Sequence, residues 1–104
     1  MTPTELVDAL RSPNPPHLLD VRQPDEHALV ALPNSTLIPL AEVPFRADEI
    51  EAWKDEDMVV YCHHGVRSAM AIGYLRVAGF KKLHNLTGGI ARWADDVEPT
   101  MRRY

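Results

Sequence analysis

"VVYCHHGVRSAMA", residues 59–71, holds the only cysteine of the chain and the change of pattern on which the fold turns. Up to Cys62 the residues are apolar. "MVVYC" (58–62) carries no charge and reads as a central strand buried on both faces. Beyond Arg67, "SAMAIGYLRVA" (68–78) reads as a helix whose faces are nearly all apolar, which predicts close packing on a sheet. Gly79 is placed to end it. "HHGVR" (63–67) is the short loop between strand and helix.

The same alternation runs through the rest of the chain. "TPTE" (2–5) opens a helix: Thr2 caps, Pro3 suits the first helical position and Glu5 bonds back to the cap. Leu6, Val7 and Leu10 form its apolar face, and "SPNPP" (12–16) stops it. "HLLDV" (17–21) reads as a buried strand and "PDEHALVAL" (24–32) as a short helix opening at Pro24. Asn34, in the turn "LPNS", tolerates positive φ. "TLIPL" (36–40) reads as a strand, "RADEIEAWK" (46–54) as a helix burying Ile50 and Trp53, and "KLHNL" (82–86) as a further strand. "TGG" turns the chain into a last helix, "IARWADDV" (90–97), with Trp93 inward. Strands alternating with helices predict one α/β domain over residues 1–104. Its sheet is expected to be mostly parallel, of four or five strands, with helices on both faces.

Length and composition set the class. The 104 residues suffice for one core. Net charge is −4 with no basic cluster, which argues against a nucleic-acid or membrane surface. One cysteine excludes an internal disulfide and zinc sites built on several cysteines. The N-terminus has neither the basic nor the apolar region of a secretion signal, and no apolar run reaches the roughly 18 residues of a membrane span. A free thiol fits a reducing compartment, so a cytoplasmic protein is expected. Neither a metal nor a cofactor is implied. Adjacent His63 and His64 with Cys62 lack a spaced further ligand, and one histidine is expected to face the mouth of the site. His17, His27 and His84 read as structural, Trp53 and Trp93 as core aromatics, and the acidic clusters at 55–57 and 95–98 as solvated surface.

Beyond the carboxyl end of a parallel strand, a loop that leads into a helix brings backbone amides together. Cys62 closes such a strand. The amides beside it lower a thiol's pKa and bind anions. Gly65 supplies the freedom in φ that the turn needs, and Arg67 adds a permanent charge with forked donors. The expected arrangement is a thiolate in an anion cradle.

"CHHGVRS" (62–68) resembles the active-site loop of rhodanese-like sulfurtransferases, of the pattern Cys-x-x-Gly-x-Arg-Ser. "LLDVRQPDE" (18–26) is similar to that family's Asp-Val-Arg-x-Pro-x-Glu segment, and "AGFKKLHNLTGGIARW" (78–93) to its closing segment. The resemblance implies sulfur transfer from a donor such as thiosulfate, through a persulfide on Cys62, to cyanide, a thiol or a protein partner. It implies that His63, His64, Gly65, Val66, Arg67 and Ser68 hold donor and persulfide. Asp20 and Arg22 are then structural, with Arg22 pairing Glu26. "VALPNS" (30–35) departs from the family's usual Gly-His-Ile-Pro-Gly-Ala, a change expected to affect partner contacts more than the thiol loop. The family's short N-terminal strand is expected to be very brief or absent.

Other functions remain open on the residues. A cysteine phosphatase or arsenate reductase of related fold uses Cys-x5-Arg, whereas four residues separate Cys62 from Arg67. No general acid for phosphoryl chemistry is identified. A binding module without chemistry would not need Cys62, Gly65 and Arg67 together. A sulfur relay between proteins uses the same persulfide as a small-molecule transferase, so residue types alone do not separate the two.

Overall fold

A computed structural model describes residues Met1–Tyr104. Strands β1 (His17–Asp20), β2 (Thr36–Leu37), β3 (Met58–Tyr61) and β4 (Leu83–Asn85) form one sheet in the order β2-β1-β3-β4. All three pairings are parallel. The sheet therefore has the smaller of the expected strand numbers and contains no antiparallel member. β3 is central, as its uncharged sequence predicts, with Leu19 beside Val60 and Val60 beside Asn85.

The period-two alternation of the strands divides the core between two layers. Leu19, Met58, Val60 and Cys62 face α3 (Val43–Arg46) and α4 (Val66–Val77), meeting Val43, Ala71, Ile72 and Leu75. Leu18, Val59 and Tyr61 face α1 (Pro3–Leu10) and α5 (Gly89–Asp96), meeting Leu6, Ile90 and Trp93. The short α2 (Pro24–Leu29) buries no residue. α1 is entered as the sequence predicts: the Glu5 amide donates to the Thr2 hydroxyl at 3.2 Å, and the Thr2 amide donates to the Glu5 carboxylate at 2.8 Å. Asn34 has φ 61°, the left-handed conformation foreseen for it. Met1 bonds Asn85 and Thr87 through its backbone, an edge contact one residue long. No helix is long and apolar enough to cross a membrane.

The helix expected over 24–32 ends at Leu29, and three further elements depart from expectation. The strand expected over 36–40 is regular only at Thr36–Leu37, because Pro39 has no N–H and a 3-10 turn begins at Leu40. Ile38 and Leu40 still donate to the carbonyls of Asp20 and Val21 at 2.9 and 3.0 Å, so the edge stays attached. The helix expected over 46–54 is a 3-10 run, Ala47–Trp53, broken at Ile50 (φ −116°, ψ 22°), and the α-helix α3 ends at Arg46 before it. Ile50 is buried, whereas Trp53 is half-buried with its ring stacked on His17 at 4.3 Å. Lastly, α4 starts two residues early and buries only Ser68, Ala71, Ile72 and Leu75. Val66, Met70, Tyr74 and Val77 lie along its outer face, exposed. A helix on a sheet can bury one stripe only, however apolar its composition.

Candidate active site

Cys62 is the residue after β3, and its side chain is buried. The chain then reverses through Gly65, whose φ of 109° suits a residue without Cβ. That reversal points the Gly65 amide at Cys62 Sγ at 3.0 Å. Val66, Arg67 and Ser68 form the first turn of α4, where amides have no partner within the helix. The Ser68 amide donates to Sγ at 3.4 Å, and the Ser68 hydroxyl oxygen lies 3.4 Å from Sγ. Burial is the largest influence on the thiol and pushes its pKa up. The amides of Ser68, Gly65 and His64 act the other way, as does the Ser68 hydroxyl whenever it donates to the sulfur, and the net direction is down.

Two further elements hold this loop. The first turn of α5 donates into it from behind, Ile90 N to Cys62 O at 3.0 Å and Ala91 N to His63 O at 3.1 Å. Gly88 and Gly89, with φ 75° and 63°, make that approach possible. A Cβ on Gly89 would stand 2.3 Å from His63 O. From β4, Asn85 Nδ2 donates to Gly65 O at 3.0 Å, and Asn85 Oδ1 accepts from Ser68 Oγ at 2.6 Å. The sequence marks the glycine pair as a turn only and gives Asn85 no role. The available signal was an amide residue at the carboxyl end of the strand next to β3.

The charged residues are arranged differently from expectation. Arg22 does not pair with Glu26. It doubles back onto Asp20, Nε to Oδ1 at 2.9 Å and Nη2 to Oδ2 at 2.7 Å, and both side chains are fully buried. The Arg22 amide also bonds Asp20 Oδ1, so the two-residue spacing closes a local ring that excludes Glu26. His27 Nδ1 is 2.8 Å from the same carboxylate. Glu26 instead takes Arg67 in a forked pair, at 2.6 and 2.9 Å. This holds the Glu26 carboxyl down at about 2 and pushes the Arg67 guanidinium above its ordinary value.

Tyr104, unremarked in the sequence, joins these pairs. Its hydroxyl accepts from Arg22 Nη1 and donates to Glu26 Oε2, both at 2.8 Å. Its ring stacks on His63 at 4.0 Å, and His63 in turn stacks on His64 at 4.0 Å. Both histidines and Tyr104 line a cavity of about 180 Å³ beside the thiol loop. Burial, then the neighbouring His64, lowers the pKa of His63. Of the expected site residues, Cys62, Gly65 and Ser68 converge at the sulfur. His63 and His64 flank it, Val66 turns its side chain to solvent, and Arg67 is bound to Glu26.

Residues 2–96 match the rhodanese-like domain. The chain belongs to that family. The rhodanese-like fold is shared with a rhodanese-like domain protein from Staphylococcus aureus, at a TM-score of 0.84 and 31% identity over 100% of this chain and 96% of the other. The chain is 38% identical over its whole length to a probable adenylyltransferase/sulfurtransferase, MoeZ, of Mycobacterium tuberculosis, of which it spans 26%. It is 42% identical over 77 residues to a sulfurtransferase of Allochromatium vinosum, covering 74% of this chain and 70% of that protein.

Proposed function

We propose that this rhodanese-like chain is a sulfurtransferase in which Cys62 carries the sulfur. The thiolate attacks the outer sulfur of a donor such as thiosulfate. The new S–S bond forms as the old one breaks, and sulfite leaves with the electron pair. An acceptor nucleophile (cyanide, a thiol or a protein partner) then attacks the outer sulfur of the persulfide and returns Cys62 to its thiolate. Oxidation states balance over the two steps, so no further oxidant or cofactor is needed.

The observation that carries this reading is the pair of amides, Gly65 N and Ser68 N, on the sulfur of a cysteine that ends the central strand. Amide donors held in place stabilise negative charge on thiolate and persulfide without reorganising. The loop from His63 to Ser68 supplies those donors and the walls of the site, while Asp20 and Arg22 hold the strand end behind it. Four residues between Cys62 and Arg67 make a tighter ring than a phosphoryl group with three outer oxygens requires.

Intact mass tests this reading. On treatment with thiosulfate the protein is expected to gain about 32 Da, one sulfur atom, and Cys62→Ser to gain nothing. A mutant that still transfers sulfur would remove Cys62 from the role.

One observation favours delivery between proteins over turnover of a small anion. Both Nη atoms of Arg67 are taken by Glu26, which neutralises the charge that would draw a dianionic donor. A putative sulfur carrier protein of Bacillus subtilis, YrkF, is 35% identical over 82 residues. Thiosulfate and cyanide alone sustain turnover in a small-molecule transferase. Persulfide that forms only with a protein donor marks the relay.

A further inference from the structure

Ser68 has one hydroxyl proton and two neighbours that compete for it, Cys62 Sγ at 3.4 Å and Asn85 Oδ1 at 2.6 Å. The orientation of the Asn85 amide decides the competition. Gly65 O can only accept, so the Asn85 group 3.0 Å from it is the NH₂ end. Asn85 then presents its oxygen to Ser68, and that oxygen also can only accept. The Ser68 proton is committed to Asn85, and lone pairs remain on the side facing the sulfur.

We propose that Asn85 is a positioning residue that holds the hydroxyl proton of Ser68 away from Cys62, so that Ser68 meets the sulfur as an acceptor of the thiol proton. In the thiol form the S–H donates to Ser68 Oγ. In the thiolate form the sulfur faces oxygen lone pairs, and the hydroxyl serves it only by breaking the short bond to Asn85. Stabilisation of the thiolate then falls to the backbone amides alone. Asn85 thus sets how readily the resting cysteine ionises through Ser68, its side chain bonding Ser68 and Gly65. The other charged or titratable groups around the loop are His63, His64 and Arg67 within it, Glu26 on α2, the Tyr104 hydroxyl, and the Met1 ammonium 3.0 Å from Asn85 O. Behind them lies the buried Asp20–Arg22 pair. None of these is altered in the variants below.

The inference rests on Cys62 as the sulfur carrier only for its use in the reaction. Ionisation is read on the thiol itself, so a protein that carries no sulfur still reports it. Cys62 is the only cysteine, so the ultraviolet absorbance of the thiolate and the pH dependence of iodoacetamide alkylation give its pKa directly in the full chain. Asn85→Ala frees the hydroxyl to donate, and the pKa of Cys62 is expected to fall by roughly one unit, the effect of one new hydrogen bond to a charged group. Ser68→Ala is expected to leave it unchanged or lower it. In the double variant, Asn85→Ala is expected to add nothing to Ser68→Ala. A rise on Ser68→Ala overturns the proposal, because it shows that Ser68 donates to the thiolate in the wild type. So does an Asn85→Ala shift that is absent, upward, or equal in both backgrounds, the last being an effect through Gly65 rather than Ser68. Should Asn85→Ala fail to fold, the direction of the Ser68→Ala shift decides alone.

Discussion

Arg22 and Asp20 show how single residues pair in this rhodanese-like chain. Both side chains are buried without exposure, and each satisfies the other. Removing one charge of such a pair strands its partner away from water. Arg22→Ala is expected to cost about 3–5 kcal/mol, read as a lower urea midpoint. Glu26 works differently, at the edge of solvent. Its carboxyl lies at about 2, against an ordinary value of 4.5, chiefly because of Arg67. A depressed folded-state pKa contributes stability that is complete above the ordinary value and lost as pH falls through the folded one. Urea midpoints of the wild type are therefore expected to decline between pH 4.5 and about 2. Glu26→Gln should flatten that decline and lower stability at neutral pH. The residue types at these positions were legible as charged partners. Who pairs with whom was not, because Arg22, Glu26 and Arg67 converge only after β1, α2 and α4 are in place.

At the scale of elements, two glycines in helices make opposite predictions. Gly89 opens α5 with φ 63°, and a Cβ there would meet His63 O at 2.3 Å and Cys62 O at 2.6 Å. Gly89→Ala is expected to cost more than about 2 kcal/mol and to reduce sulfur transfer, since α5 must retreat from the carbonyls it holds. Gly73 lies inside α4 with nothing within 4 Å of an added Cβ. Gly73→Ala is expected to stabilise by about 0.5–1 kcal/mol and to leave transfer unchanged. Thermal melts of the two variants beside a transfer assay check both. Elements with strong local chemistry were the ones read well: α1 from Thr2, Pro3 and Glu5, and β3 from its uncharged run. The segment from Leu40 to Trp53 was read poorly. Its 3-10 turns depend on how Val43 and Ile50 reach the core, and no local period announces them.

Across the whole molecule, Tyr104 ties together stretches far apart in the chain. Its hydroxyl stands between Arg22 and Glu26, 82 and 78 residues away in sequence, and its ring covers His63. Tyr104→Phe keeps the stacking and removes the hydroxyl, leaving the buried Arg22 without one acceptor. The expected loss is about 1–2 kcal/mol by thermal melting. Tyr104→Ala, which also uncovers His63, should lose more.

By itself, the sequence determined the alternation of strands and helices, the place of Cys62 at the end of the central strand, and the glycine-containing turn beyond it. Each is local: apolar periodicity, capping side chains and the φ freedom of Gly65 act over a few residues and need no distant partner. Only the tertiary structure decided that Arg67 is held by Glu26, that Asn85 binds Ser68, that α5 supports the thiol loop through Gly89, and that one stripe of α4 is buried while Val66, Met70, Tyr74 and Val77 are not. These are contacts between groups far apart in the chain. Their partners are chosen by packing geometry and by the need of buried polar groups to be satisfied, and residue type alone leaves several equally good candidates.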